Sequence, residues 1–382
     1  MVKVANQWKA IARCQVGTSH AATGLPCQDY ASYERYEKYC IGAVSDGAGS
    51  RSFSEYGSRL AVDESLNYLT EKLKCSSNKN PFSSQTNAED IFHGLISTVR
   101  EKINEKAIRL TNELKQQVFP SDLACTLLVF VAFPKGVAAM QLGDGFIVVR
   151  DHSSTEYKLL FPSNKDDDLP VNYTTFITSE KEEIESGLQV GISSNRISFI
   201  CASTDGLEGG AIDFATQNPY PRFFIPLEQY IQETKEEDLK EDSYITDFLK
   251  LEQLNLITSD DKTLLLCSDI NSDIAPELTA IPKPTALIIP PTKTRPPSVD
   301  YRRKINATLP STQRVPETIV KQIDPIDLPN PEISNPPINS QSTSKKKHPA
   351  LIYLARILTF LEGIENNIST TLDNTIKKIR NL

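Results

Sequence analysis

The sequence predicts an α+β fold in which antiparallel sheets are covered by helices, on two observations. Apolar and β-branched runs, such as Tyr39–Ser45 and residues 196–204, have the length and composition of buried strands. Apolar residues at helical spacing occupy separate stretches, 54–73 and 88–114. Because strands and helices are segregated along the chain, antiparallel sheets with helices packed on them are expected.

The elements follow one another in a definite order. The helical spacing in the two long stretches is carried by Leu60, Ala61, Leu66 and Leu69, and then by Ile91, Leu95, Val99, Ile103 and Ile108. Strands dominate residues 125–203, residues 241–253 have a helical pattern, and residues 263–267 form a closing strand. The polar segment 164–189 is interpreted either as a flap near a functional site or as a surface insertion.

Short acidic motifs recur at the ends of the strand-like runs. They are Gln28-Asp29, Asp46-Gly47, Asp144-Gly145, Asp205-Gly206 and Asp260-Asp261. An Asp-Gly pair taken alone is typical of an ordinary turn. Several carboxylates at one end of a sheet would instead suit a hard cation, because Mg²⁺ and Mn²⁺ prefer oxygen ligands. The glycine after the aspartate would let its backbone approach such an ion closely and expose the carbonyl.

The order and wording of the motifs resemble the type-2C, metal-dependent serine/threonine protein phosphatases, and in particular a bacterial-type branch. The matching stretches are residues 17–30, Val44-Ser-Asp-Gly-Ala-Gly-Ser50, Cys125-Thr126-Leu-Leu-Val-Phe, Leu142-Gly-Asp-Gly145, Ser203-Thr-Asp-Gly206 and Asp260-Asp-Lys-Thr263. The resemblance covers residues 7–268. It implies an α-β-β-α sandwich of two antiparallel sheets flanked by helices, with residues 17–20 in the region of the N-terminal strand.

The resemblance also implies a role for each acidic residue. Asp46 would bridge two Mn²⁺ or Mg²⁺ ions, and the Gly47 carbonyl would hold one of them. Asp205 and Asp260 would complete the shell of the other ion, and Asp144 would help to hold a third, weaker ion. Two such ions, about 3.5–4 Å apart, lower the pKa of a shared water and clamp the phosphoryl oxygens. The implied reaction is hydrolysis of phosphoserine and phosphothreonine in proteins.

The chain departs from the better-known members of this family at three positions. Gln28 stands where many relatives have Glu, beside Asp29, which would fix ion-bound water by hydrogen bonds. Gly24 replaces an arginine that often binds the substrate phosphate. Ala48 replaces a histidine that is a proposed proton donor in animal relatives. Because the Gln28 side chain is a neutral amide where relatives have a carboxylate, weaker binding of one ion is expected.

Two nearby residues could substitute for the missing groups. His20 is either a phosphate contact or proton donor, or else a solvated or core-packed residue. Arg51 could contact phosphate through its planar guanidinium, or be a solvated loop residue.

Composition divides the chain into three parts. Of 24 prolines, 15 lie between Pro276 and Pro349, so residues 269–347 are predicted to be a disordered Pro-rich linker between a catalytic domain, 1–268, and a C-terminal helix, 348–382. The whole chain has a net charge of −8, which divides into −12 for residues 1–268 and +4 for residues 269–382, and an acidic body disfavours nucleic-acid binding. The seven cysteines form no Cys-x-x-Cys pair or Cys-x5-Arg loop, and no secretion signal is recognised, so a cytoplasmic protein is expected.

The C-terminal segment 350–382 predicts one helix with an apolar stripe. The stripe comprises Ile357, Leu361, Ile364, Ile368, Leu372, Ile376 and Ile379. A coiled coil or other partner helix, docking on the body of the chain, or binding at a membrane surface would each cover it. No run is long enough to span a bilayer.

Together the resemblance and these observations predict a metal-dependent protein-serine/threonine phosphatase in signalling, with phosphoprotein substrates and a cognate Ser/Thr kinase as expected partners. The alternatives are a pseudophosphatase that binds a kinase or phosphoprotein and, more weakly, a phosphatase of small metabolites. Asp46, Asp205 and Asp260 are all present, which favours the enzyme over the pseudophosphatase.

Overall fold

The computed structural model describes residues 7–76, 80–162, 174–241, 243–272 and 360–361. The chain divides into two compact units. One comprises Met1–Leu287 together with His348–Leu382, and the other, Ile288–Lys347, lies outside the described residues. The predicted linker and most of the predicted C-terminal helix therefore also lie outside them.

Two five-stranded antiparallel sheets form the centre of the first unit. The first sheet has the order β1-β12-β9-β6-β7, with strands Trp8–Gln15 (β1), Lys262–Asp269 (β12), Ile197–Ser203 (β9), Phe146–Asp151 (β6) and Tyr157–Leu159 (β7). The second has the order β2-β3-β4-β5-β8, with strands Tyr30–Tyr36 (β2), Tyr39–Ser45 (β3), Leu127–Phe133 (β4), Gly136–Leu142 (β5) and Gln189–Ser193 (β8). A small hairpin pairs Ile212–Asp213 (β10) with Asn218–Pro219 (β11).

Helices cover the outer faces of both sheets. They are Thr18–Thr23 (α1), Ser54–Cys75 (α2), Gln85–Leu114 (α3), Lys181–Gly187 (α4), Glu208–Ala211 (α5), Pro221–Glu233 (α6), Glu236–Leu239 (α7), Tyr244–Leu249 (α8) and Glu252–Ile257 (α9). Two 3-10 turns, Pro120–Leu123 and Asp205–Leu207, complete the described elements. Helix α2 packs on β2 and β3, whereas α6 and α8 pack on β1 and β12. The predicted α-β-β-α sandwich is thus confirmed.

Side-chain alternation along the strands builds three apolar layers. In β3, Ile41 and Ala43 face the α2–α3 layer, whereas Cys40 and Val44 face Leu265 between the two sheets. The third layer lies between the first sheet and α6, α8 and α9. Every residue of β3, β4 and β12 is buried, because both faces of these central strands are covered. The two sheets are consequently fixed against each other, and so are the loops at their ends.

A buried ion pair lies in the apolar layer between the first sheet and α6. Arg150 donates to the Glu228 carboxylate at 2.6 to 3.1 Å, and the Tyr157 hydroxyl donates to the same carboxylate at 2.6 Å. Glu228 is fully buried and Arg150 is 2% exposed. The pair joins β6 to α6, and a buried charge of this kind depends on its partner.

Several local predictions were wrong. Residues 18–23, expected in the region of the N-terminal strand, form helix α1, which ends at Gly24 in the left-handed conformation (φ 71°). The single helix predicted at 241–253 is two short helices, α8 and α9, separated at Lys250 and Leu251. Ile108, placed on the apolar stripe of α3, is 63% exposed. In each case the local pattern lacked information about which surface the tertiary structure covers.

The tail contributes two described residues to the body. Phe360 and Leu361 are helical, are 9% and 0% exposed, and belong to the apolar layer beneath α6, α8 and α9. Leu361 is the one member of the predicted stripe among the described residues, and it is buried in this layer. Among the described helices, none combines the length and apolar character needed to cross a bilayer.

Candidate metal centre and active site

The strands deliver acidic side chains to one end of the sandwich. Asp46 follows β3, Asp205 follows β9, and Asp144 lies in the turn between β5 and β6. Gly145 in that turn has a φ of 101°, and a Cβ there would stand 2.6 Å from the Ser203 carbonyl oxygen. Only glycine permits this close approach, which holds the Asp144 turn against the end of β9.

Asp46 is fixed through its backbone. Its N–H donates to Thr126 Oγ1 at 3.0 Å, and its carbonyl accepts the Thr126 N–H at 2.9 Å. The Gly47 N–H donates to the Gln28 carbonyl at 3.1 Å. A Cβ on Gly47 would come within 2.7 Å of that carbonyl, so the Asp46 loop packs directly on the Gln28-Asp29 motif.

The carboxylates of four predicted site residues influence one another. Desolvation raises the pKa of Asp46 well above its usual range, and the charges of Asp29, Asp205 and Asp144 raise it further. Burial also raises the pKa of Asp29 to about 7, although hydrogen bonds from Thr204 and Thr263 oppose that shift. The structure therefore brings Asp29, Asp46, Asp144 and Asp205 together.

Asp29 is held from two strands of the other sheet. Thr204 Oγ1 and Thr263 Oγ1 donate to its Oδ2 at 2.7 and 2.8 Å. In the part of the chain that the structure describes, Asp29 Oδ1 and the buried Gln28 Oε1 have no N–H or hydroxyl donor, and the Asp29 carboxylate interacts directly with the Asp46 carboxylate. Two buried oxygen acceptors at this position are open to an external donor or cation.

Asp260 is held within its own turn and against the N-terminal segment. Its Oδ1 accepts the Asp261 N–H at 2.9 Å, and its backbone packs against Gly17. Lys262 follows this acidic pair, and its Nζ donates to Asn255 Oδ1 at 2.9 Å. Burial lowers the pKa of Lys262, although the negative charges of Asp261 and Asp260 act in the opposite direction. The described contacts of Asp260 thus lie in its own turn and at Gly17, and not at Asp46 or Asp205.

His20 and Arg51 border the Asp46 loop. A Cβ at Gly49 would stand 3.6 Å from His20 Nε2 and 3.9 Å from Gln28 Oε1, so both side chains flank this loop. His20 Nδ1 lies 3.0 Å from Asp261 Oδ2, which places the imidazole beside a buried carboxylate. Arg51 is exposed, and its N–H donates to the Ala48 carbonyl at 2.9 Å.

Asp261 was not singled out as a site residue by the sequence. It is 2% exposed and accepts the N–H groups of Gly17 at 2.7 Å and Gln28 at 2.6 Å. It thereby ties α1 and the first acidic motif to the closing motif. The Asp260-Asp261 pair could be seen in the sequence. That the Asp261 carboxylate binds the backbone of residues 17 and 28 is seen only in the fold.

Glu208 and Thr174 were also missed. Burial raises the pKa of Glu208 to about 8, the charges of Asp205 and Asp144 add to the shift, and the Gly145 N–H donates to its carboxylate. Thr174 Oγ1 donates to Asp144 Oδ2 at 2.8 Å. Thr174 belongs to the polar segment 164–189, so the described part of that segment contacts the site at Asp144.

The donor set fits hard divalent cations. It consists of carboxylate oxygens and a backbone carbonyl, and the main influences on Asp46 all disfavour its charge, which a dication would offset. Within the described ranges, no three His, Cys, Asp or Glu side chains are arranged to hold an ion by themselves. Mg²⁺ usually retains several waters and binds one or two carboxylates, so such a closed cage is not required.

This fold and this acidic site define a class of metal-dependent phosphoric ester hydrolases. The sequence profile described as Protein phosphatase 2C matches residues 16–243, which is more than half of the chain, and the chain belongs to that family of protein phosphatases.

Individual relatives were also found. The chain is 29% identical over 266 residues to serine/threonine-protein phosphatase 3 of Escherichia coli (strain K12), covering 68% of this chain and 97% of the relative. Among solved structures, it is 14% identical to serine/threonine phosphatase Stp1 from Staphylococcus aureus, with a TM-score of 0.44 and coverage of 70% and 97%. It is also 14% identical to PppA of Pseudomonas aeruginosa, with a TM-score of 0.42 and coverage of 69% and 98%.

Proposed function

We propose that this phosphatase hydrolyses phosphoserine and phosphothreonine in proteins with the aid of two divalent cations, Mn²⁺ or Mg²⁺. The observation that carries the proposal is the environment of Asp46. Its carboxylate is desolvated and lies in the field of Asp29, Asp144 and Asp205. An arrangement so unfavourable to negative charge is typical of sites that bind a cation.

Asp46, the Gly47 carbonyl, Asp205 and Asp260 would hold the two ions, and Asp144 with Asp205 would bind a third. When bound, such ions neutralise the phosphate dianion and supply a nucleophilic water near neutral pH. The chain's own residues position these parts. Thr126 fixes the Asp46 loop through two hydrogen bonds to the Asp46 backbone, which would hold the Asp46 carboxylate in place for an ion.

Asp29 would orient water in this site. Its Oδ2 is occupied by the Thr204 and Thr263 hydroxyls, which leaves Oδ1 as the acceptor available to a water. Gln28 Oε1, a neutral acceptor where relatives often have a carboxylate, would contact an ion only weakly. The affinity for one of the two ions is therefore expected to be low.

His20 and Arg51 would act on the substrate. The His20 Nε2 faces the loop at Gly49, where it could donate a proton to the departing serine or threonine oxygen. Arg51 is exposed beside Ala48, where its guanidinium could contact phosphate oxygens. Neither role requires a covalent phosphoenzyme.

Two further observations support the biological setting that we propose. The curated relative is a serine/threonine-protein phosphatase, which supports phosphoprotein substrates and a cognate Ser/Thr kinase in a signalling pathway. All seven cysteines are free, as expected in a reducing cytoplasm. Residues 1–268 would form the catalytic domain, 269–347 a linker and 348–382 the C-terminal helix.

Phosphate release from matched peptides tests the proposal. Phosphoserine, phosphothreonine and phosphotyrosine peptides of one sequence are compared with an aryl phosphate and with small phosphorylated metabolites, with Mn²⁺ and with a chelator. Mn²⁺-dependent release from the first two peptides is expected. Release from the metabolites alone would contradict protein specificity, and Mn²⁺ binding without any release would indicate a pseudophosphatase.

A further inference from the structure

The described residues of the C-terminal segment are anchored in the core. The Phe360 ring packs on the Tyr220 ring, with centroids 5.7 Å apart and planes at 60°. Leu361 is fully buried and belongs to the same apolar layer as Leu254 of α9. Burying two large apolar side chains removes a substantial apolar area from water, so the contact stabilises the folded chain.

The surface that receives them lies on α5 and α9. A Cβ at Gly210 would stand 3.7 Å from both Leu361 Cδ2 and Ile257 Cδ1, and 3.9 Å from Leu254 Cδ2. These are ordinary van der Waals distances, so Leu361 packs closely against the backbone of α5 at Gly210. We refer to Gly210, Tyr220, Leu254 and Ile257 as the tail-binding surface.

This surface lies directly behind the acidic site. Helix α5 begins at Glu208, three residues after Asp205, and ends at Ala211, beside Gly210. On the side of the site, the Glu208 carboxylate accepts the N–H of Gly145, next to Asp144. One turn of helix thus contacts the tail through Gly210 and the Asp144 turn through Glu208.

We propose that the C-terminal segment docks in cis on the tail-binding surface through Phe360 and Leu361, and that this docking braces α5 and, through Glu208, the Asp144–Gly145 turn. The occupant is the chain's own tail, because His348–Leu382 belongs to the same compact unit as Met1–Leu287. The intervening residues 273–359 provide ample reach, since an extended chain spans about 3.3 Å per residue. The proposal does not depend on the substrate or on catalysis.

Hydrogen exchange of the full-length chain tests docking and bracing together. Leu361→Asp places a charge in the buried contact, and Phe360→Ala is a milder variant that retains the fold if Leu361→Asp does not. Leu256→Asp is the matched control, because Leu256 also lies on α9 but is 63% exposed. The reporting amides are Ile212, bonded to the Glu208 carbonyl, Thr258, bonded to the Leu254 carbonyl, and Gly145.

Exchange at Ile212, Thr258 and Gly145 is expected to rise by about tenfold or more in the tail variants and to stay unchanged in the control. Protection in the wild-type chain should not change on dilution. Unchanged exchange at Ile212 and Thr258 in a folded tail variant would overturn docking, and unchanged exchange at Gly145 alone would overturn the bracing. Protection that is lost on dilution would assign the contact to a second copy of the chain and overturn docking in cis.

Discussion

Asp261 Oδ2 accepts the backbone N–H of Gln28 at 2.6 Å, across 233 positions of the chain. The other oxygen of the same carboxylate accepts the N–H of Gly17 at 2.7 Å. The first acidic motif is therefore positioned by the last one, and the site forms only when β12 is in place beside β1. The Asp29 side chain is also positioned by residues distant in sequence, because its hydroxyl donors, Thr204 and Thr263, come from the ends of β9 and β12.

Asp261→Ala should lower the free energy of unfolding by about 2–6 kcal/mol, because two buried N–H groups lose their acceptor at about 1–3 kcal/mol each. Urea denaturation measures the loss. Asp90→Ala, at an exposed position of α3, is the control and should change stability by less than about 0.5 kcal/mol. Equal stability of the two variants would show that Asp261 does not hold the N-terminal segment.

Gln28→Glu should lower the Mn²⁺ concentration at half-maximal activity, because a carboxylate would replace a buried neutral acceptor that has no donor in the described structure. The wild-type midpoint is expected in the millimolar range. Gln116→Glu, at an exposed position, adds the same charge away from the site. A midpoint that moves equally in both variants, or in neither, would remove Gln28 from the metal environment.

His20→Gln should slow hydrolysis of a phosphoserine peptide by about 100-fold, the lower end of a general-acid contribution, and affect p-nitrophenyl phosphate far less. The reason is that a serine alkoxide needs a proton to leave, whereas nitrophenolate does not. His93→Gln, exposed on α3, is the control. The same loss on both substrates would indicate that His20 acts structurally through Asp261 and donates no proton.

Glu228→Ala should destabilise the fold by about 3–5 kcal/mol, because it leaves Arg150 charged and buried without its partner. Thermal and urea unfolding measure the change. Glu237→Ala, at an exposed position of α7, should be nearly neutral. A small loss for Glu228→Ala would mean that water or another group solvates Arg150 in the variant.

The parts of this fold that could be predicted from sequence are those in which the local pattern and the tertiary environment agree. Residues Tyr39–Ser45 were predicted as a buried strand and form β3, because both faces of that strand are covered. The stretch 88–114 was predicted as a helix, and α3 spans Gln85–Leu114, starting at a Ser84 cap that accepts the Asn87 N–H.

The remainder depended on contacts that are distant in sequence. Helix α1 lies between Gly17 and Gly24, and those two glycines were the only local signal for it. Asp46 and Asp205 follow strands, as predicted, and their carboxylates influence each other. Glu208 lacked a motif of its own, and its place beside Gly145 became visible only when β6 and β9 were paired. Burial of Leu361 depended in the same way on α5 and α9.

The most direct test of the metal centre is Mn²⁺-dependent phosphate release by Asp46→Asn and Asp205→Asn, with Asp90→Asn as the exposed control and thermal melting to show that each variant is folded. We expect both site variants to lose at least about a thousandfold in turnover, because bound ions contribute several kcal/mol and each 1.4 kcal/mol is tenfold in rate. The control should retain wild-type turnover. Near wild-type turnover in a well-folded Asp205→Asn variant would contradict the assignment.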